Sequence, residues 1–196
     1  MMSSYYDIKI IRSRRSTIGL EIKNGQLTAR VPLYASDAQV RKFIDLHRGW
    51  IDKNMAKALA DAQAAREEGS LTYEDIKELG EKALQDIPAR VRKYAPLIGV
   101  KYGRITIRNQ RTRWGSCSSK GNLNFNCLLM LCPEEVRDSV VVHELCHLKH
   151  MDHSAAFYAE VRRVFPEYDK WNKWLKENGS RIMDRMTGAD CPAAKL

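Results

Sequence analysis

Val140-Val141-Val142-His143-Glu144-Leu145-Cys146-His147-Leu148-Lys149-His150-Met151-Asp152-His153 is the stretch from which the rest of the chain is read. It opens as an apolar helical run and carries His-Glu-x-x-His. Residues four apart stand one turn above each other on a helix, so His143 and His147 can point at a single ion. Glu144 can hold a water against that ion, as general base of a metal-assisted hydrolysis. A catalytic zinc takes three protein ligands and keeps its fourth position open. His150 shares the helix face, but at about 1.5 Å rise per residue it stands two turns above His143 and is badly placed. His153 can return to the ion if the helix ends after His147 and the chain turns. The spacing fits His-Glu-x-x-His-x-x-Gly-x-x-His, except that His150 stands where the turn-making glycine belongs. His and Asp tolerate left-handed backbone better than most residues, so the turn can use His150 or Asp152. The expected ligands of one Zn2+ per chain are therefore His143, His147 and His153.

Val141, Val142, Leu145 and Leu148 lie opposite His143, while Ser139, His147 and His150 share its side. The helix is thus expected to bury one flank and turn the other to a cleft. A rival site, Cys127-x4-Cys132-x10-His143-x3-His147, comes near a two-Cys, two-His finger. Its cysteines enclose Leu128-Leu129-Met130-Leu131 rather than a polar turn, and a closed site would leave Glu144 and His153 without a role. The finger is rejected.

Outward from this stretch, the 196 residues suffice for one hydrophobic core with a small appended subdomain. No apolar run approaches a membrane span, and the first residues lack a signal-peptide core. Five cysteines without a Cys-x-x-Cys pair point to a reducing, cytoplasmic setting. Residues 1–35 read as a β-hairpin subdomain: Ile18, Leu20 and Ile22 alternate, Asn24-Gly25 turns, and Leu27, Ala29 and Val31 alternate again. Asp7 to Ile11 is expected as a partner strand. Residues 36–103 read as a helical scaffold. Ser36-Asp37-Ala38-Gln39 caps a long helix towards Glu68, and a second helix opens at Thr72, breaks or kinks near Pro88 and ends at Pro96. Residues 104–179 hold the catalytic core, with a strand at Ile105 and Ile107, a Gly/Ser loop, and Asn122-Leu123-Asn124-Phe125-Asn126. That last segment is either a plain exposed edge strand or an edge that pairs with an extended substrate. Pro133-Glu134-Glu135 opens the histidine helix. Ser154 to Phe165 and Pro166 to Gly179 read as further helices, and 180–196 as a loosely ordered tail.

Arg113-Trp114-Gly115-Ser116-Cys117-Ser118, Asn122 to Asn126, the histidine helix and His153-Ser154 together resemble the YgjP-like metal-dependent hydrolases. These are small zincins related to the SprT-like and weak-suicide-type metalloproteases. The resemblance is strongest from about Ile105 to Gly179. It implies an α+β fold, a zincin-like helix-rich metallopeptidase core with a small antiparallel sheet beside the N-terminal hairpin. It also implies His143, His147 and His153 as ligands and Glu144 as catalytic base. Asp152 stands where many members carry asparagine, which bears on the turn and not on the chemistry.

The expected function is zinc-dependent peptide hydrolysis. The alternatives are hydrolysis of a nucleotide or other phosphoanhydride, and a non-catalytic nucleic-acid-binding zinc protein. Arg113, Asn124, Asn126 and Tyr158 are the candidate substrate contacts, Arg113 and Tyr158 also as the transition-state electrophile. Lys and Arg number 33 against 24 acids, a net charge of +9. Between residues 87 and 133 stand Arg90, Arg92, Lys93, Lys101, Arg104, Arg108, Arg111, Arg113 and Lys120, and no acid at all. Such a run is either a solvated face or a field that favours DNA or another polyanion.

Overall fold

The computed structural model describes residues 7–23 and 25–186. They fall in two compact units, Met1–Glu67 and Glu68–Leu196, each with elements of its own.

In the first unit, β1 (Ile8–Ser13), β2 (Gly19–Lys23) and β3 (Gln26–Pro32) form a sheet in the order β1-β3-β2. β2 and β3 make the antiparallel hairpin, and Gly25 takes φ 71° in its turn. Asn24 lies outside the described residues. β1 does not pair with β2 but lies parallel to β3 on its other side. The apolar alternation explains this. Leu27, Ala29 and Val31 are wholly buried, so β3 must find backbone partners on both edges, whereas β1 is mostly exposed. α1 (Asp37–Leu46) starts at the expected Ser36–Gln39 capping box, and α2 (Arg48–Glu67) follows it. The single long helix expected here is thus two. His47 leaves helical geometry at ψ 14°, and its Nδ1 meets the Phe43 carbonyl at 2.8 Å. Val40, Ile51 and Met55 from these helices cover β3.

The second unit begins with α3 (Tyr73–Ile98), capped by Thr72 and Asp75. Neither Pro88 nor Pro96 breaks it. An interior proline costs about 3 kcal/mol, but Ile76, Ala83, Ile87, Val91, Ala95 and Ile98 form one buried stripe through both prolines. Each such burial contributes up to about 1.5–3 kcal/mol for the larger side chains. The stop is Gly99, at φ 77°, whose N–H meets the Ala95 and Pro96 carbonyls. β4 (Ile105–Arg108), β5 (Gly115–Cys117) and β6 (Leu123–Asn126) form a mixed sheet, β4 parallel and β5 antiparallel to β6. The sheet is therefore not wholly antiparallel, and β6 is not an edge. Leu123 and Phe125 on β6 are buried, which fixes it in the centre and leaves β4 and β5 outside.

A 3-10 turn over Cys127–Leu131 leads into α4 (Glu134–Cys146), which is followed by α5 (Ala155–Val164) and α6 (Tyr168–Asp184). α4 is not an amphipathic surface helix. Val136, Val140, Val141, Val142, Leu145 and Cys146 are buried, and so are Asp138, Ser139 and Glu144. α3, β5, α5 and α6 surround it. Its buried polar groups are answered. Ser139 donates to the Val136 carbonyl, and Asp138 accepts from Arg90 at 2.6 Å and from Tyr94 at 2.8 Å. Arg90 also reaches Asp86 and Glu134, so one guanidinium ties α3 to α4. α6 runs through Gly179, where a stop was expected, to Asp184. Residues 187–196 lie outside the described residues.

Candidate active site

α4 carries His143 in its last turn, and His147 follows directly as its C-cap, still in right-handed helical geometry. The i, i+4 relation therefore survives to the end of the helix. The chain then turns through 147–149, and Ser154 caps α5 by accepting from the Phe157 N–H. Asp152 accepts from the Ser154 N–H, which fixes the far end of the turn. His153 is thereby brought back to the helix. Its Nε2 lies 3.1 Å from His143 Nε2, which in turn lies 3.2 Å from His147 Nε2. Two nitrogens on one tetrahedral zinc, at bonds of about 2.0–2.1 Å, stand about 3.3 Å apart. The donor set fits such an ion in type, number and spacing, with all three ligand atoms within 4.8 Å of one another.

Two of the three rings are set from behind. His147 Nδ1 meets the His150 carbonyl at 3.0 Å, which places the proton on Nδ1 and frees the Nε2 lone pair. His150 thus enters the site through its backbone. His143 Nδ1 meets the Tyr168 hydroxyl at 2.8 Å. When Nε2 is a ligand, Nδ1–H donates to that phenol oxygen. Phe157 lies against all three rings from α5. Burial, then His147 and His153, push the His143 pKa down to about 4, so it is neutral as a ligand must be.

Glu144 is 6% exposed, and burial pushes its carboxyl up to about 8, with Arg113 pulling the other way. The Trp-Gly-Ser-Cys loop explains how a carboxyl fits there. A Cβ on Gly115 would stand 2.7 Å from both Cγ and Oε1 of Glu144, so β5 can cross the carboxyl only as glycine. Trp114 lies on α6 at Gly179, where a Cβ would meet the indole at 3.2 Å. Ser116 accepts from Asn124, whose side chain in turn accepts from Arg108. Cys117 is half-buried, its thiol pushed up to about 11 by burial and by Glu144.

The other expected contacts separate. Arg113 is exposed at the entrance to β5, and its charge reaches Glu144. Tyr158 sits beside the triad, its ring centroid 6.1 Å from that of His153, with Arg162 over its face. Asn124 is held in the cross-strand row. Asn126 is a correction. It is 1% exposed, donates to the Gln110 and Arg113 carbonyls and accepts from the Leu128 N–H, so it ties the loop and meets no substrate. Tyr168 and Gly115 were missed as functional residues. The signal for Tyr168 was the general need of a ligating histidine for a second partner, which no local spacing supplies.

β5 is an edge strand. The Asn126 N–H donates to the Trp114 carbonyl and the Ser118 N–H to the Asn122 carbonyl. Alternation along an antiparallel pair then turns the N–H and C=O of Gly115 and Cys117 away from β6, to the open side. Among the described residues no other strand takes them.

A family model described as YgjP-like, metallopeptidase domain, matches residues 74–178, more than half of the chain. Two solved structures are similar over part of it. The metallopeptidase zymogen of Pyrococcus abyssi abylysin is 22% identical over 46% of this chain and 93% of its own, with a TM-score of 0.42. That of Methanocaldococcus jannaschii jannalysin is 23% identical over 46% and 94%, with the same TM-score of 0.42. No curated protein matches the chain.

Proposed function

The chain belongs to the YgjP-like metallopeptidases, and on that premise we propose a zinc peptidase with His143, His147 and His153 as ligands and Glu144 as general base. The observation that carries the reading is the convergence of three imidazole nitrogens next to a buried carboxyl seated on a glycine. Zinc, when bound, supplies Lewis-acid activation of water and of the scissile carbonyl. A bound dication would favour the ionised form of Glu144 over the neutral one that burial favours, and in that form Glu144 would take the proton of the attacking water and return it to the departing amide nitrogen. The outward amides of Gly115 and Cys117 take an extended polypeptide as an added strand, which lays its backbone beside Glu144. Tyr158 is the proposed donor to the developing oxyanion. The proposed setting is cytoplasmic, supported by the odd number of cysteines. No described helix is long and apolar enough to cross a membrane.

Wild-type protein should carry about one zinc per chain and cleave unfolded polypeptide. Glu144→Gln should keep the metal and lose the activity. His143→Ala, His147→Ala and His153→Ala should each lose the metal, while His150→Ala should keep it. Turnover by Glu144→Gln at the wild-type rate would sink the mechanism. Cleavage of nucleoside triphosphates and not of polypeptide would replace the substrate.

A further inference from the structure

The basic run divides once its partners are seen. Arg90 is neutralised by Asp86, Glu134 and Asp138, and Lys93 lies 3.7 Å from Asp138, all acids outside the run. The cations around the catalytic sheet are different. Among the described residues, ion pairs hold Lys and Arg of both units, yet none involves Lys101, Arg104, Arg108, Arg111, Arg113 or Lys120. Acids on the neighbouring helices are already taken: Glu160 by Arg163 and Lys149, Asp169 by Arg162. Asp152, in the histidine turn, is exposed and has no ion pair.

Strand connections sort these cations to the two ends of β5. The Asn126 amide donates to the Gln110 and Arg113 carbonyls, which fixes the Arg111–Arg113 segment where β5 begins. Lys120 stands in the turn where β5 ends, closed by the Gly121 N–H on the Ser118 carbonyl, whereas Arg104, whose N–H donates to the Asn122 side chain, lies across β6 from that edge. Arg111, Arg113 and Lys120 are all exposed. Gly115, over Glu144, lies between the two groups.

We propose that this edge selects acidic polypeptide, with Asp or Glu two to three residues to either side of the scissile bond. The inference rests on the peptidase reading and adds the class of substrate. A bound strand advances about 3.4 Å per residue, so side chains two or three positions from Gly115 would reach Arg111 and Arg113 at one end and Lys120 at the other. None of these three is held in an ion pair among the described residues, although Arg113 also faces Glu144, so an acidic side chain gains attraction without displacing a salt bridge. Nucleic acid is the less favoured occupant, because the outward amides of Gly115 and Cys117 match a peptide backbone.

The test uses zinc-loaded full-length Glu144→Gln protein, which reads binding without turnover. Two labelled peptides share one sequence, Asp and Glu in the first becoming Asn and Gln in the second, and fluorescence anisotropy follows both. The acidic peptide should bind about tenfold tighter at low salt, as two or three exposed charge pairs allow, and the gap should close as salt rises. Arg111→Gln, Arg113→Gln and Lys120→Gln combined should abolish the preference with zinc content unchanged. Arg111→Lys with Arg113→Lys should retain most of it, which separates lost charge from lost fold. Equal binding of the twins, no binding of either, or a preference that survives the triple change would overturn the proposal. Single-stranded DNA bound more tightly than the acidic peptide would overturn it in favour of a nucleic-acid surface. Failure of the peptidase reading looks different: acidic peptide binds the variant with the expected salt dependence, yet wild-type protein cleaves neither twin.

Discussion

Gly115→Ala adds one methyl group, and that methyl must push either β5 or the Glu144 carboxyl aside. A displacement of about 1 Å at a reacting group can cost on the order of 10²-fold in rate. We expect Gly115→Ala to fall by about that factor in kcat while keeping its zinc, measured by turnover and metal analysis on one sample. Tyr168→Phe keeps the ring beside His143 at the start of α6 and deletes only the hydroxyl behind that histidine. Zinc affinity should drop about 10–100-fold, read by competition with a chromophoric chelator; an unchanged affinity would remove Tyr168 from the site. These two residues also show where residue-level reading stops. His143, Glu144 and His147 are legible because an i, i+4 relation is local. His153 follows because its turn is short. Tyr168 stands 25 positions from His143, and nothing in the intervening sequence encodes their meeting.

Among the elements, the turn after α4 is tied to α5 through Lys149 and Glu160, 2.7 Å apart. Hydrogen bonds from Arg163 and Lys149 hold the Glu160 carboxyl down at about 2, against an ordinary value of 4.5. A lowered folded-state pKa contributes stability that is present above the unfolded value and lost as pH falls towards the folded one. The contribution of Glu160 should therefore be whole above about 4.5 and fade towards about 2. Glu160→Gln should lower the urea midpoint at neutral pH and flatten its fall through that window relative to wild type. Identical acid profiles would show the pair to be inert. Elsewhere at this scale, tertiary packing overrules local signals. Pro88 and Pro96 are real breakers, overruled by a buried stripe that only tertiary packing makes decisive. Asn122 to Asn126 looked like an edge because asparagine is a poor strand former, yet Leu123 and Phe125 hold β6 at the centre. The break at His47 has no proline, only the weak helix former Gly49 two positions beyond it.

At the scale of the molecule, the buried residues of the large core all lie between Leu71 and Met186, and those of the smaller cores between Leu27 and Met55. Residues 68–196 alone should therefore fold cooperatively and keep their zinc, checked by urea denaturation and metal analysis of that fragment. A fragment that melts without a cooperative transition would show that the first unit is needed for the second. The α+β class is what the family resemblance implies and the periodicities give only its separate strands and helices, while β1 beside β3 is not legible, since adjacency in sequence favours β2. α4, buried along most of its length, also gives the site two lifetimes. We expect amide hydrogens from Val140 to Cys146, mostly buried, to exchange with solvent only as the unit opens, and those of the exposed Met151–His153 turn to exchange by local excursions, read by hydrogen exchange. On that expectation two imidazoles would last as long as the fold itself, while the third would be free to swing out and return many times between unfolding events.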